Sequence, residues 1–141
     1  MIQLHEAPTR LSTDDGTIPK GGYIEQYQEN IDKAQQLAGI PVVSEDLALY
    51  ARDAGFVAVG VVLKKAPLGP WPKDPKKKTL GCWGMAVAEH GLEAYGMALF
   101  TRHLGLSTEE AAKICAGAVD ELRRRDVHCY SAQYVTRTPR G

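Results

Sequence analysis

The chain has 141 residues, 44% hydrophobic and 24% charged, with 17 Lys and Arg balanced by 17 Asp and Glu. A chain of that length buries roughly 68% of its unfolded surface as one ordinary domain, so residues 1–141 are read as a single domain. The charge balance leaves no overall field to draw nucleic acid or an anionic membrane, and no apolar run reaches the roughly 18–20 residues of a membrane span.

The first residues alternate, with Ile2 and Leu4 set against Gln3 and His5, and predict a strand over 2–6. A turn-rich stretch follows, holding Pro8, Pro19, an Asp14-Asp15-Gly16 turn and the Gly21-Gly22 pair. Residues 23–38 favour helix, stopped by Gly39 and Pro41. Ser44 is placed to cap a helix running through Ala54, with Gly55 as its stop. The β-branched run from Phe56 to Lys64 predicts a second strand. A loop with Pro67, Pro70, Pro72 and Pro75 leads to about Thr79, and helices over 81–104 and 108–124 follow. Ser107 and Glu110 make a capping box for the second of these. Residues 127–137 close the chain as a third strand.

The basic runs, Lys73 with Lys76 to Lys78 and Arg123 to Arg125, are short, offset by nearby acids, and read as solvated surface. Cys82, Cys115 and Cys129 are odd in number and share no C-x-x-C spacing, and the four histidines lack ligand spacing. Reduced thiols, no metal and a cytoplasmic location are therefore expected. The N-terminus carries no signal-peptide pattern.

Several words in fixed order carry a resemblance: "PLGPWPKD" (67–74), "GCW" (81–83), "GLEAYGMALFTRHLG" (91–105), "STEE" (107–110) and "VHCY" (127–130). The chain resembles the C-terminal half of the LaeA-type class I, S-adenosylmethionine-dependent methyltransferases of fungal secondary metabolism. That resemblance implies an α/β fold: a truncated methyltransferase sheet of about three strands (2–6, 56–64, 127–137) packed with four helices. It aligns residue 1 with the fifth of seven strands. The glycine-rich turn that receives the cofactor lies before that point in the family, so no cofactor is expected to bind this chain alone. The resemblance also implies that the last three strands lie side by side. Residues 2–6 would then be an open edge that invites a homodimer or a methyltransferase partner chain.

Candidate site residues come mostly from the helix over 81–104. Gly84, Ala88, Gly91, Tyr95, Ala98 and Arg102 share one face. Its interior glycines, at 84, 91 and 96, cost roughly 1 kcal/mol each against alanine, which points to close packing or to a groove floor. His90, Tyr95 and Arg102 are the candidate catalytic donors. His5, Trp71, Trp83, Glu93, Met97 and Tyr130 are candidates for lining an apolar small-molecule pocket, with His5 and Glu6 placed where the resemblance brings substrate. His128 and Tyr130 share a face of the last strand and read as structural. No nucleophile, base and acid set is visible. The expectation from these features is an enzyme that no longer methylates. It would be a cofactor-independent cyclase or isomerase, a pericyclase of the intramolecular Diels–Alder type being one form of it, acting on a terpenoid or polyketide. The alternative is a non-catalytic subunit that pairs with a methyltransferase chain.

Overall fold

A computed structural model describes residues 2–41 and 46–138. In chain order the elements are β1 (Ile2–Glu6), β2 (Leu11–Ser12), α1 (Tyr23–Ala38), α2 (Leu47–Asp53), β3 (Gly60–Pro67), α3 (Pro75–His103), α4 (Thr108–Leu122) and β4 (Tyr130–Thr138). The described residues thus form an α/β fold of four helices and a small open antiparallel sheet, as expected, with β2 as an unforeseen fourth strand.

β4 is the middle of the sheet. β3 pairs along one edge of it, from Gly60 opposite Arg137 to Pro67 opposite Tyr130. On its other edge β1 covers residues 134–138 and β2 covers 130–131. Both long neighbours run antiparallel to β4, so β1 and β3 run the same way. β3 and β2 both finish opposite Tyr130, at the amino end of β4, and the loops that follow them converge there, whereas β1 ends opposite Tyr134.

Three element starts differ from the sequence reading by three residues or more, and β3 also runs on past Lys64 to Pro67. β3 starts at Gly60 and not at Phe56, because Gly55 and Ala58 hold positive φ values of 89° and 51° that cannot lie in a pleated strand. α3 starts at Pro75, six residues before Gly81. Asp74 caps it by accepting from the Lys77 amide at 2.8 Å, and Pro75 occupies the first turn, where its missing N–H costs nothing. The final strand begins at Tyr130, leaving 127–129 irregular though Val127 and Cys129 are fully buried. The expected cap at Ser44 lies outside the described residues.

The core is helical on one side. α1 contributes Ile24, Tyr27, Ile31 and Ala34, α3 Met85, Leu99 and Phe100, and α4 Ala111, Cys115, Ala118 and Leu122. The capping box on α4 forms as read, Ser107 and Glu110 each bonding the other's backbone amide. α1 has no cap of its own, since its N-cap is Gly22. Glu121, in the last turn of α4, accepts instead from the amides of Tyr23 at 2.8 Å and Ile24 at 2.9 Å. A helix start with free N–H groups and partial positive charge suits a carboxylate. This long-range cap ties α1 to α4.

Candidate functional site

The loop after β3 is strapped to α3 by two glycines. The Gly69 amide donates to the Gly81 carbonyl at 2.9 Å, and Gly69 has φ +98°, a left-handed geometry that side chains resist. A Cβ on Gly81 would collide with the Gly69 carbonyl, and one on Gly84 would lie 2.7 Å from the Pro67 carbonyl oxygen. The words "PLGPW" and "GCW" are thus two halves of one backbone contact. Its product is the placement of Trp71, whose Nε1 donates to the Cys129 carbonyl at 3.0 Å. The indole packs on the imidazole of His128, with centroids 5.2 Å apart.

The loop between β2 and α1 folds over the same end of the sheet. Lys65 Nζ donates to both oxygens of Asp14, at 2.8 and 2.7 Å, and stands 4.9 Å above the Tyr130 ring. The Tyr130 hydroxyl donates to Asp14 at 2.9 Å. Next to it, His128 Nδ1 lies 2.6 Å from Asp15 Oδ2, while the Thr13 and Thr17 hydroxyls donate to Asp15 Oδ1 at 2.7 and 2.8 Å. The Lys65 ammonium, then the Tyr130 hydroxyl, lowers the pKa of Asp14, and Asp14 in turn raises that of Lys65. His128, then the two threonines, holds Asp15 far below the usual carboxylate range. An ionised carboxylate only accepts, so Nδ1 of His128 donates in this bond. Asp14, Lys65, Pro67, Trp71 and Tyr130, with the Pro72 to Asp74 turn and Lys77, line a cleft of 320 Å³.

That cleft lies at the carboxyl ends of β2 and β3, which both finish opposite Tyr130, and ligands of open α/β sheets are received at carboxyl ends of strands. It can hold a flat apolar body between aromatic and proline walls and present ammonium, phenol and carboxylate groups at its rim. Of the sequence candidates, Trp71 and Tyr130 line it. Asp14 and Lys65 were not foreseen, because "DDG" is fully explained by turn chemistry and Lys65 by a strand edge.

The other candidates are dispersed. His90 and Glu93 line a 380 Å³ groove between α3 and α4 with Glu89, Cys115, Asp120 and Arg123. Tyr95 lies in another cleft, of 220 Å³, where its hydroxyl accepts from Gln35 at 3.1 Å. Arg102 is exposed further along α3. The structure does not bring the three expected donors together, because the buried face of α3 runs through Gly81, Met85, Gly96, Leu99 and Phe100 and turns the Gly91–Tyr95–Ala98 line outward. The three glycines divide in the same way. Gly84 meets the Pro67 carbonyl, Gly96 meets Cys115 and Tyr27, and Gly91 faces open space. Trp83 is 70% exposed, Met97 packs on the core, and His5 is exposed on β1 opposite Val135. Burial pushes the Cys115 thiol up to about 11 and the Cys129 thiol up to about 12, which removes both as nucleophiles near neutral pH.

A nucleotide-bearing methyl donor needs a strand, a glycine-rich turn and a helix N-terminus in succession. The described residues do not fit that group. The turn after β1 leads to a second strand, and the acids of the loop after that strand, Asp14 and Asp15, are held by Lys65, Tyr130 and His128.

No family model matches the chain, and no solved structure matches it. Curated relatives do. The probable methyltransferase tdiE of Emericella nidulans is 29% identical over 135 residues, 95% of this chain and 43% of that protein. The methyltransferase pytC of Aspergillus terreus is 29% identical over 128 residues, 90% of this chain and 40% of that protein. The secondary metabolism regulator laeA of Monascus pilosus is 28% identical over 87 residues, 61% of this chain and 23% of that protein. The chain is similar to fungal LaeA-type methyltransferases and spans about two fifths of the length of the first two relatives. It is therefore related to enzymes. The expectation of a cofactor-independent cyclase that is not a methyltransferase is overturned: the relatives that match nearly all of the chain are named as methyltransferases. Among the described residues no helix is long and apolar enough to cross a membrane.

Proposed function

We propose that this chain forms the acceptor-side part of a small-molecule methyltransferase, carrying the last three strands of its sheet. One observation carries the reading. β4 runs antiparallel between β1 and β3, the side-by-side arrangement that the resemblance implies. The methyl acceptor is an apolar molecule seated in the cleft of Trp71 and Tyr130, and the donor is held by other residues. In this reading the outer edge of β1 receives a further strand of the fold, from the same polypeptide or from a partner methyltransferase chain. A second copy of this chain is the competing occupant.

Exposed apolar residues on the sheet and around α2 support it. Ile2, Leu4, Tyr50, Phe56, Val57, Val61, Val62 and Leu63 are each at least 38% exposed, an accumulation that marks a surface to be covered. The unpaired thiols suit a reducing compartment, and the cytoplasm is the proposed location.

The test is a chimaera in which this chain replaces the matching segment of pytC. S-adenosylmethionine binding is measured by calorimetry beside pytC itself. The expected result is a folded chimaera with an affinity within about tenfold of pytC. A monodisperse, cooperatively melting chimaera that binds no S-adenosylmethionine overturns the proposal.

A further inference from the structure

A second cleft lies behind Trp71, lined by Gly69, Pro70, Trp71, Lys78, Leu122, Arg124 and Arg125, with a volume of 330 Å³. We propose that it is a binding site for a small organic phosphate monoester, whose phosphate is held by Lys78 and Arg125 and whose hydrocarbon or aromatic body rests on Trp71 and Leu122.

The two basic runs of the sequence are separated by about 45 residues, and each alone reads as solvated surface. The fold brings them to one concavity. Asp74 starts α3 early enough for Lys78 to lie in its first turns, and α4 ends at Leu122, so Arg124 and Arg125 follow it into the same space. Neighbouring acids neutralise the run unevenly. Arg123 is tied to Glu89 at 2.9 Å and to Asp120 at 3.2 Å, on the side of the α3–α4 groove. Arg124 is held by Asp126 through two bonds, of 3.0 and 2.6 Å. Among the described residues Lys78 and Arg125 have no ion-pair partner, and no acid lines the cleft. Like charges placed around one cavity repel unless an anion joins them, and a guanidinium beside an ammonium suits phosphate oxygens.

The rest of the lining selects what the phosphate carries. Pro70, Leu122 and the indole of Trp71 are apolar, and the cavity has the volume of a small-molecule site, not of a groove that tracks a polymer. A net charge of zero on the whole chain argues the same way, since nucleic-acid binding draws on an extended basic surface. The Gly69–Gly81 contact that holds Trp71 also shapes this wall.

This inference stands independently of the methyltransferase reading, and so does its test. In a Trp83→Phe background Trp71 is the remaining tryptophan, and its fluorescence reports on the cleft. Phenyl phosphate, inorganic phosphate, phenol and a short single-stranded RNA are titrated in turn. The expected result is a saturable change with phenyl phosphate, at about tenfold lower concentration than with inorganic phosphate and absent with phenol. Lys78→Gln with Arg125→Gln should raise the phenyl phosphate midpoint at least about tenfold. Lys77→Gln, which faces the other cleft, should leave it unchanged. An unaltered midpoint in the double variant, with its urea transition also unaltered, overturns the site. So does inorganic phosphate binding as tightly as phenyl phosphate. RNA that displaces phenyl phosphate at lower concentration overturns the small-molecule assignment.

Discussion

Gly81→Ala and Gly91→Ala are the same substitution ten residues apart on α3, and the structure gives them opposite signs. At Gly91 nothing lies within 4 Å of the added methyl, so helix propensity alone acts and stability should rise by about 0.5–1 kcal/mol. At Gly81 the methyl collides with the Gly69 carbonyl, an atom of backbone and not the movable end of a side chain. Relieving the overlap costs about 1–3 kcal/mol. It also breaks or stretches the 2.9 Å bond from the Gly69 amide to the Gly81 carbonyl, worth about 1 kcal/mol. The propensity gain of about 1 kcal/mol offsets part of this, leaving a net loss of about 1–3 kcal/mol. Thermal melts followed by circular dichroism should place Gly81→Ala below the parent by several degrees, at about 3 °C per kcal/mol, and Gly91→Ala slightly above it. Trp71 fluorescence should shift in Gly81→Ala alone, since that contact positions the indole. If Gly81→Ala melts at or above the parent, the strap between "PLGPW" and "GCW" is not the reason for a glycine there.

Other perturbations test separate parts of the structure. Glu121→Ala removes the acceptor for the Tyr23 and Ile24 amides and should cost about 1–2 kcal/mol in urea unfolding; a neutral result would mean that water caps α1 equally well. Trp71→Phe keeps an aromatic ring but leaves the Cys129 carbonyl without its indole donor, with an expected loss of about 1 kcal/mol and weaker protection of that region in hydrogen exchange. Asp15 has a folded-state pKa below its unfolded value of 3.8, so its contribution is fully present above that value and is lost progressively as the pH falls from there through the folded-state value. Wild type should therefore exceed Asp15→Asn in urea midpoint at about pH 6, and the gap should narrow toward about pH 3. A gap that stays constant across this range would mean that the bond to His128 does not depend on an ionised Asp15.

Local chemistry was legible wherever one segment contained all of its partners. Tyr23–Ala38 is the helix that the residues favour, with Gly39 taking the left-handed C-cap at φ 67°. Ser107 and Glu110 satisfy each other within one turn, and Ile2–Glu6 is the strand that its alternation predicts. The site was much less legible. Asp14 and Asp15 act on Lys65, His128 and Tyr130, which are 51 to 116 residues away. No pattern in "TDDGT" points across that distance. The candidates on α3 failed to converge for a related reason. Helical spacing says which residues share a face, and only the packing of α1 and α4 says which face is buried.

By itself the sequence determined the types of all the described elements but β2, the α/β class and the resemblance to fungal methyltransferases, because each rests on neighbours in the chain or on words that survive in order. Tertiary structure decided three things. β4 became the centre of the sheet, Gly69 and Gly81 became one contact, and Lys78 and Arg125 came to line one cleft beside Trp71. Each joins groups whose separation along the chain carries no energetic signal until packing places them within reach.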